Sequence, residues 1–83
     1  MMNSLSETVE MMISSDYKER FKAEYYQLVY RTRKLQKMFE DWDEGKLDFE
    51  PKSPSELLEE QFDVMNEYIL ILRERAKHEG IEL

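Results

Sequence analysis

The chain has no cysteine, one histidine, two glycines and two prolines among its 83 residues. Without cysteine there is no disulfide and no thiolate metal site, which fits a reducing cytoplasm. So few turn residues exclude a fold of many short strands. No apolar run approaches the ~18 residues that a membrane-spanning helix needs. The first residues lack a basic stretch followed by an apolar one, so no secretory signal is expected. There is no glycine-rich phosphate loop and no Gly-x-Ser-x-Gly turn. Bases are outnumbered, with 12 Lys and Arg against 19 Asp and Glu, for a net charge of −7. That balance argues against broad binding to nucleic-acid backbones.

What remains is helical. Hydrophobic residues make up 41% and charged residues 37%, the balance of a charged helical protein rather than a disordered chain. The sequence predicts one domain over residues 1–83, with a short helix over about 4–13, long helices over about 17–43 and 54–79, and a linker over about 44–53. Ser4 and Glu7 have capping-box spacing ahead of Leu5, Val9 and Met12. Asp16 and Glu19 make a second possible box. They open a seam of Phe21, Tyr25, Leu28, Thr32, Leu35, Phe39 and Trp42, in alternating steps of four and three. Gly45 is placed to stop that helix. Leu47 and Phe49 are apolar loop residues, expected to fold back over the end of the helix pair. Ser53 reads as the next N-cap, with Pro54 at the first helical position and Glu56 completing the box. The last seam is Leu58, Phe62, Met65, Ile69, Leu72 and Ala76, and Gly80 suits its end. The expected fold is all-α: an antiparallel hairpin of two long helices plus a short N-terminal helix, completed as an oligomeric helical bundle.

The oligomer is expected because each long helix carries a second stripe. Leu57, Val64, Tyr68 and Ile71 lie some 60° to 120° round the last helix from Met65, at ~100° per residue. These four are the expected oligomer contact. On the first long helix, Lys22, Tyr26, Tyr30, Arg33 and Lys37 lie at roughly 100° to 200° from Leu28. A two-helix hairpin cannot bury both stripes of both helices. Either the N-terminal helix covers one of them, or further copies do.

Few residues suggest chemistry. Glu74 and His78 share a face, but a helix-end charge interaction explains the pair better than a metal site. Bundle metal sites also use Glu-x-x-His pairs on two helices, which are missing here, so neither catalysis nor a cofactor is expected. Glu56, Glu59, Glu60, Asp63 and Glu67 form an acidic face that reads either as solvated surface or as a partner surface for a basic groove. Glu40, Asp41, Asp43 and Glu44 oppose the dipole at the end of the first long helix, so something else must favour them: solubility, a basic partner, or nearby Lys46 and Lys52. Lys22, Tyr26, Tyr30, Arg33 and Lys37 form the candidate binding group. Tyrosine faces stack on bases or guanidinium groups, and Arg forks onto phosphate. Such residues also suit protein interfaces.

From Tyr17 onward the chain resembles small helical proteins of tailed phages, of the family named after a crAss-like phage protein. The likeness rests on "YKERFKAEYYQLVYRTRKLQKMFE" and "LLEEQFDVMNEYILILRERA", with the spacing Gln61, Met65, Tyr68, Leu72, Arg75. It implies a phage context, in the cytoplasm of an infected cell, and a non-enzymatic counter-defence role. The expected function is direct inhibition of a host defence protein such as a CRISPR nuclease; the alternatives are an oligomeric sponge for a nucleotide signal and a structural accessory bundle. The acidic charge favours the first over the second, and the basic tyrosine face favours the second over the first.

Overall fold

The computed structural model describes residues 5–83. A 3₁₀ helix, Leu5–Thr8, runs directly into α1, Val9–Met12. Two long helices follow, α2 over Tyr17–Asp43 and α3 over Ser55–Glu79. The architecture is all-α, an antiparallel hairpin 43 Å long with a short N-terminal helix laid beside it. No helix among the described residues is long and apolar enough to cross a membrane.

Local chemistry sets the helix ends. The Asp16 carboxylate accepts the Lys18 backbone N–H at 2.9 Å, satisfying one orphan donor of the first turn. The expected box at Ser4 lies outside the described residues. At α3 the sequence reading is one residue off. Pro54, not Ser53, is the N-cap, its backbone is extended, and no side chain caps it. The Pro54 carbonyl accepts from Leu57 and Leu58 N–H, so helical bonding begins at its C=O. The ring fixes φ near the helical value but leaves ψ free, so proline can stand at the threshold.

Each glycine ends a helix. Gly45 and Gly80 have φ of 71° and 69°, a left-handed conformation in which a Cβ is strained. Lys46 N–H then reaches Asp41 C=O at 2.7 Å, and Ile81 N–H reaches Ala76 C=O at 2.9 Å. These six-to-one bonds take up carbonyls that the helix ends would otherwise leave unpaired.

The seams meet mainly in the half of the hairpin near the chain ends. Phe21, Tyr25, Leu28, Ile69, Leu72, Ala76 and Ile81 form the core, with Tyr26, Val29 and Met65 partly buried against it. Leu72 is fully enclosed at 0% exposure. Thr32, the polar seam position, is buried and donates its hydroxyl to Leu28 C=O on its own helix at 2.7 Å. Toward the linker, Leu35, Phe39, Trp42, Leu58 and Phe62 are only half-buried, although Phe39 and Phe62 meet edge to face at 5.8 Å. Leu47 is half-buried, but Phe49 stays 55% exposed, so only part of the loop folds back as expected.

The N-terminal segment packs on α2 and makes no backbone approach to α3. Gln27 of α2 donates to the Thr8 hydroxyl at 2.9 Å and reaches the Met12 sulfur at 3.5 Å. Thr8 in turn donates to Leu5 C=O at 2.7 Å. Thr8 and Ala23 are each 1% exposed, though Ala23 sits on the side of α2 turned away from the seam. Part of the second stripe of α2 is therefore covered from within the chain. That of α3 is not: Leu57, Val64, Tyr68 and Ile71 are 41–58% exposed.

Candidate functional site

The residues singled out in the sequence divide between several environments. Lys22 pairs with Glu19 at 3.7 Å, and Lys37 with Asp41 at 2.9 Å. Hydrogen bonding to Asp41 raises the Lys37 pKa above its ordinary value. Tyr26 packs edge-on to Tyr25, with ring centroids 5.3 Å apart, against the core. Tyr30 and Arg33 line clefts on opposite sides of the hairpin. The acidic residues Glu56, Glu59, Glu60, Asp63 and Glu67 are all exposed, and none enters an ion pair among the described residues. The acids at the end of α2 are partly answered by neighbours, Asp41 by Lys37 and Glu44 by Lys46 at 2.9 Å.

The first cleft has a volume of about 350 Å³ and lies where the N-terminal segment, α2 and α3 converge. Tyr30, Arg31 and Lys34 of α2 give it an aromatic ring and two cations. Gln61 and Met65 of α3, with Leu5 and Leu35, supply the rest of its wall. The second, about 290 Å³, lies between α2 and α3 on the other side. Arg33 and Arg73 line it with Thr32, Gln36 and Asn66. The Arg73 Nε donates to the Tyr25 hydroxyl at 2.9 Å, which holds its guanidinium beside the core.

Arg31, Arg33, Lys34 and Arg73 share one property: none of the four is in an ion pair among the described residues. In a chain with seven more acids than bases, that leaves a local basic band across the middle of an acidic molecule. Such cations can meet a phosphate or carboxylate from outside, Arg73 through the guanidinium N–H groups that Tyr25 does not take. Sequence reasoning placed Tyr30 and Arg33 in the candidate binding group but left out Arg31, Lys34, Gln61 and Arg73. The missed residues sit on the flanks of the seam, and only the approach of the second helix brings them together.

A separate cluster ties the chain ends together. The Tyr17 hydroxyl donates to Glu79 at 2.5 Å and accepts from Arg75 Nη2 at 2.9 Å, while Arg75 Nε donates to Glu79 at 3.1 Å. The Arg75 guanidinium also lies 5.0 Å from the centre of the Phe21 ring, a cation–π contact. Donation from Tyr17 lowers the Glu79 pKa, and the same bond raises that of Tyr17. Tyr68 is bonded to Glu24 in the same way, which raises its pKa. At the other edge His78 stands 3.8 Å from Glu74, a helix-end contact. No group of three His, Cys, Asp or Glu among the described residues is placed to hold a metal.

Fold and site together define a small helical protein with open, basic-lined clefts. The chain belongs to the Sequestin family, whose model matches residues 15–78. The match spans α2, the linker and all of α3 but its last residue. The family name fits a sequestering or binding role. No curated protein and no solved structure matches the chain.

Proposed function

We propose that the chain is a non-enzymatic sequestering protein of phage type that counters host defence by holding a nucleotide immune signal. The observation that carries this reading is the cleft of Tyr30, Arg31 and Lys34, with two cations that have no carboxylate partner among the described residues beside an aromatic ring. A base stacks on a tyrosine face, for about 1–3 kcal/mol in nucleic-acid binding proteins. Arg and Lys then take the phosphates, and Gln61 offers a side-chain amide to a base edge or ribose. The name Sequestin favours this sponge over direct inhibition of a defence protein, since a sponge acts by withholding a ligand.

The test is recovery of a ligand. The protein is purified from cells in which a nucleotide-signalling defence has been triggered, denatured, and the released small molecules weighed by mass spectrometry. A chemically intact nucleotide near one per site is expected, and the Tyr30→Ala/Arg31→Ala variant should lose it. An empty eluate from folded protein defeats the sponge reading. A hydrolysed product that accumulates with time would make the chain an enzyme instead. The exposed acids Glu56, Glu59, Glu60, Asp63 and Glu67, without an ion pair among the described residues, favour direct protein inhibition as a second reading. It is supported if a host defence protein co-purifies and charge reversal on that face releases it.

A further inference from the structure

The open stripe of α3 has the form of a coiled-coil seam. Leu57, Val64 and Ile71 recur every seven residues, with Gln61, Tyr68 and Arg75 interleaved at the four-three spacing by which one helix receives the side chains of another. The four apolar members are 41–58% exposed, and the N-terminal segment packs on α2 and leaves them uncovered. The Tyr68 hydroxyl is already bound to Glu24, so that side chain is held in place before any partner arrives. The charges give the partner and its direction. Glu56, Glu59, Glu60, Asp63 and Glu67 give the first half of α3 acids and no base, while in its last third Arg73, Arg75 and Lys77 outnumber Glu74 and Glu79. A parallel α3 would set acid against acid. An antiparallel α3 instead sets the acidic half of each helix against the half in which bases slightly outnumber acids, which a second copy provides on both ends at once.

We infer that this stripe is the interface between two copies of the chain, packed α3 against α3 in opposite directions around a two-fold axis. Leu57 of each copy then lies level with Ile71 or Arg75 of the other, and Val64 and Tyr68 sit near the axis. The assembly is a four-helix arrangement with both α3 helices at its centre. Gln61 belongs both to this stripe and to the wall of the Tyr30 cleft, so the second copy approaches the cleft from its open side. This last step rests on the proposed nucleotide site, whereas the interface itself does not.

Sedimentation of the full chain tests the interface. The expected mass is that of two chains, about twice 10.2 kDa. Val64→Arg should weaken association on the order of a hundredfold by burying a charge without a partner, with unchanged helical content by circular dichroism. The direction is read by cross-linking, which the absence of cysteine keeps free of background. A mixture of Leu57→Cys and Ile71→Cys chains should form a mixed disulfide dimer on mild oxidation, and Leu57→Cys alone should not. A monomer of unaltered chain at several hundred micromolar overturns the proposal, as does efficient self-linking of Leu57→Cys. A monomer that still releases an intact nucleotide defeats the interface and spares the sponge. A dimer that releases none defeats the sponge and spares the interface.

Discussion

The two halves of the hairpin share one seam pattern and differ in how they are packed. Near the chain ends, Phe21, Tyr25, Leu28, Leu72 and Ala76 are buried. Near the linker, Leu35, Phe39, Trp42, Leu58 and Phe62 sit in equivalent steps of four and three and stay half-buried. Helical period alone therefore does not decide burial. The difference lies in what is laid over the pair. The terminal half gains the N-terminal segment along one side of α2 and Ile81 folded back from the last turn, whereas the linker half has only the loop, of which Leu47 folds back in part and Phe49 does not. It is also there that a 530 Å³ cleft opens between Lys34, Leu35, Met38 and Phe49.

The sharpest test of this asymmetry is truncation of matched leucines. Leu72→Ala should cost about 2–5 kcal/mol in urea denaturation, since a fully enclosed side chain leaves a cavity. Leu58→Ala, at a half-buried site, should cost less than half as much. Equal losses would mean that the two halves are packed alike in solution. Next in size are the helix stops, where the comparison should vanish. Gly45→Ala and Gly80→Ala should each cost about 1–2 kcal/mol. Both glycines are in the left-handed region and nothing lies within 4 Å of a Cβ added there, so the penalty is one of backbone alone and equal at both ends.

Smaller again is the link to the N-terminal segment. Gln27→Ala removes the donor to Thr8 and should cost about 0.5–1.5 kcal/mol. It should also speed proteolysis ahead of Tyr17 without touching the linker half. The smallest effect is pH-dependent. The Glu79 pKa is lowered in the folded chain by the Tyr17 hydroxyl. Its contribution is therefore present above the unfolded carboxylate pKa of about 4.3 and is lost as pH falls through the lower, folded value. Melting temperature should decline more steeply below about pH 4 in the unaltered chain than in Glu79→Gln. Parallel curves would remove Glu79 from the account.

Much of the fold was legible because it is written in spacing. The two seams, the glycine stops and the Asp16 cap are local patterns, and together they specify a helical hairpin. Where reading went astray, the missing information was three-dimensional. Ser53 and Pro54 both satisfy a start signal, and only the carbonyl bonding pattern distinguishes them. Ala23 carries no hint that it would be among the most buried residues, because that depends on where the N-terminal segment comes to rest. The candidate site was half visible. Tyr30 and Arg33 stood out as aromatic and basic residues turned from the seam, yet they line opposite walls of the molecule. Arg31, Lys34 and Arg73 were not assigned to the site, since a cation looks the same in sequence whether or not an acid answers it.

The tyrosines have one more consequence. Thr32 is the polar residue of the seam, but its hydroxyl is spent on Leu28 of its own helix and says nothing about the helix opposite. Alignment between α2 and α3 is carried instead by three phenolic hydroxyls: Tyr17 to Glu79 and Arg75, Tyr25 to Arg73, and Tyr68 to Glu24. Sliding one helix by a single turn, about 5.4 Å, would part all three while leaving an apolar seam still facing an apolar seam. The greasy residues make the pair adhere, and the tyrosines fix its register. A chain with phenylalanine at 17, 25 and 68 would keep its hydrophobic surface and lose its reason to choose one alignment over the next.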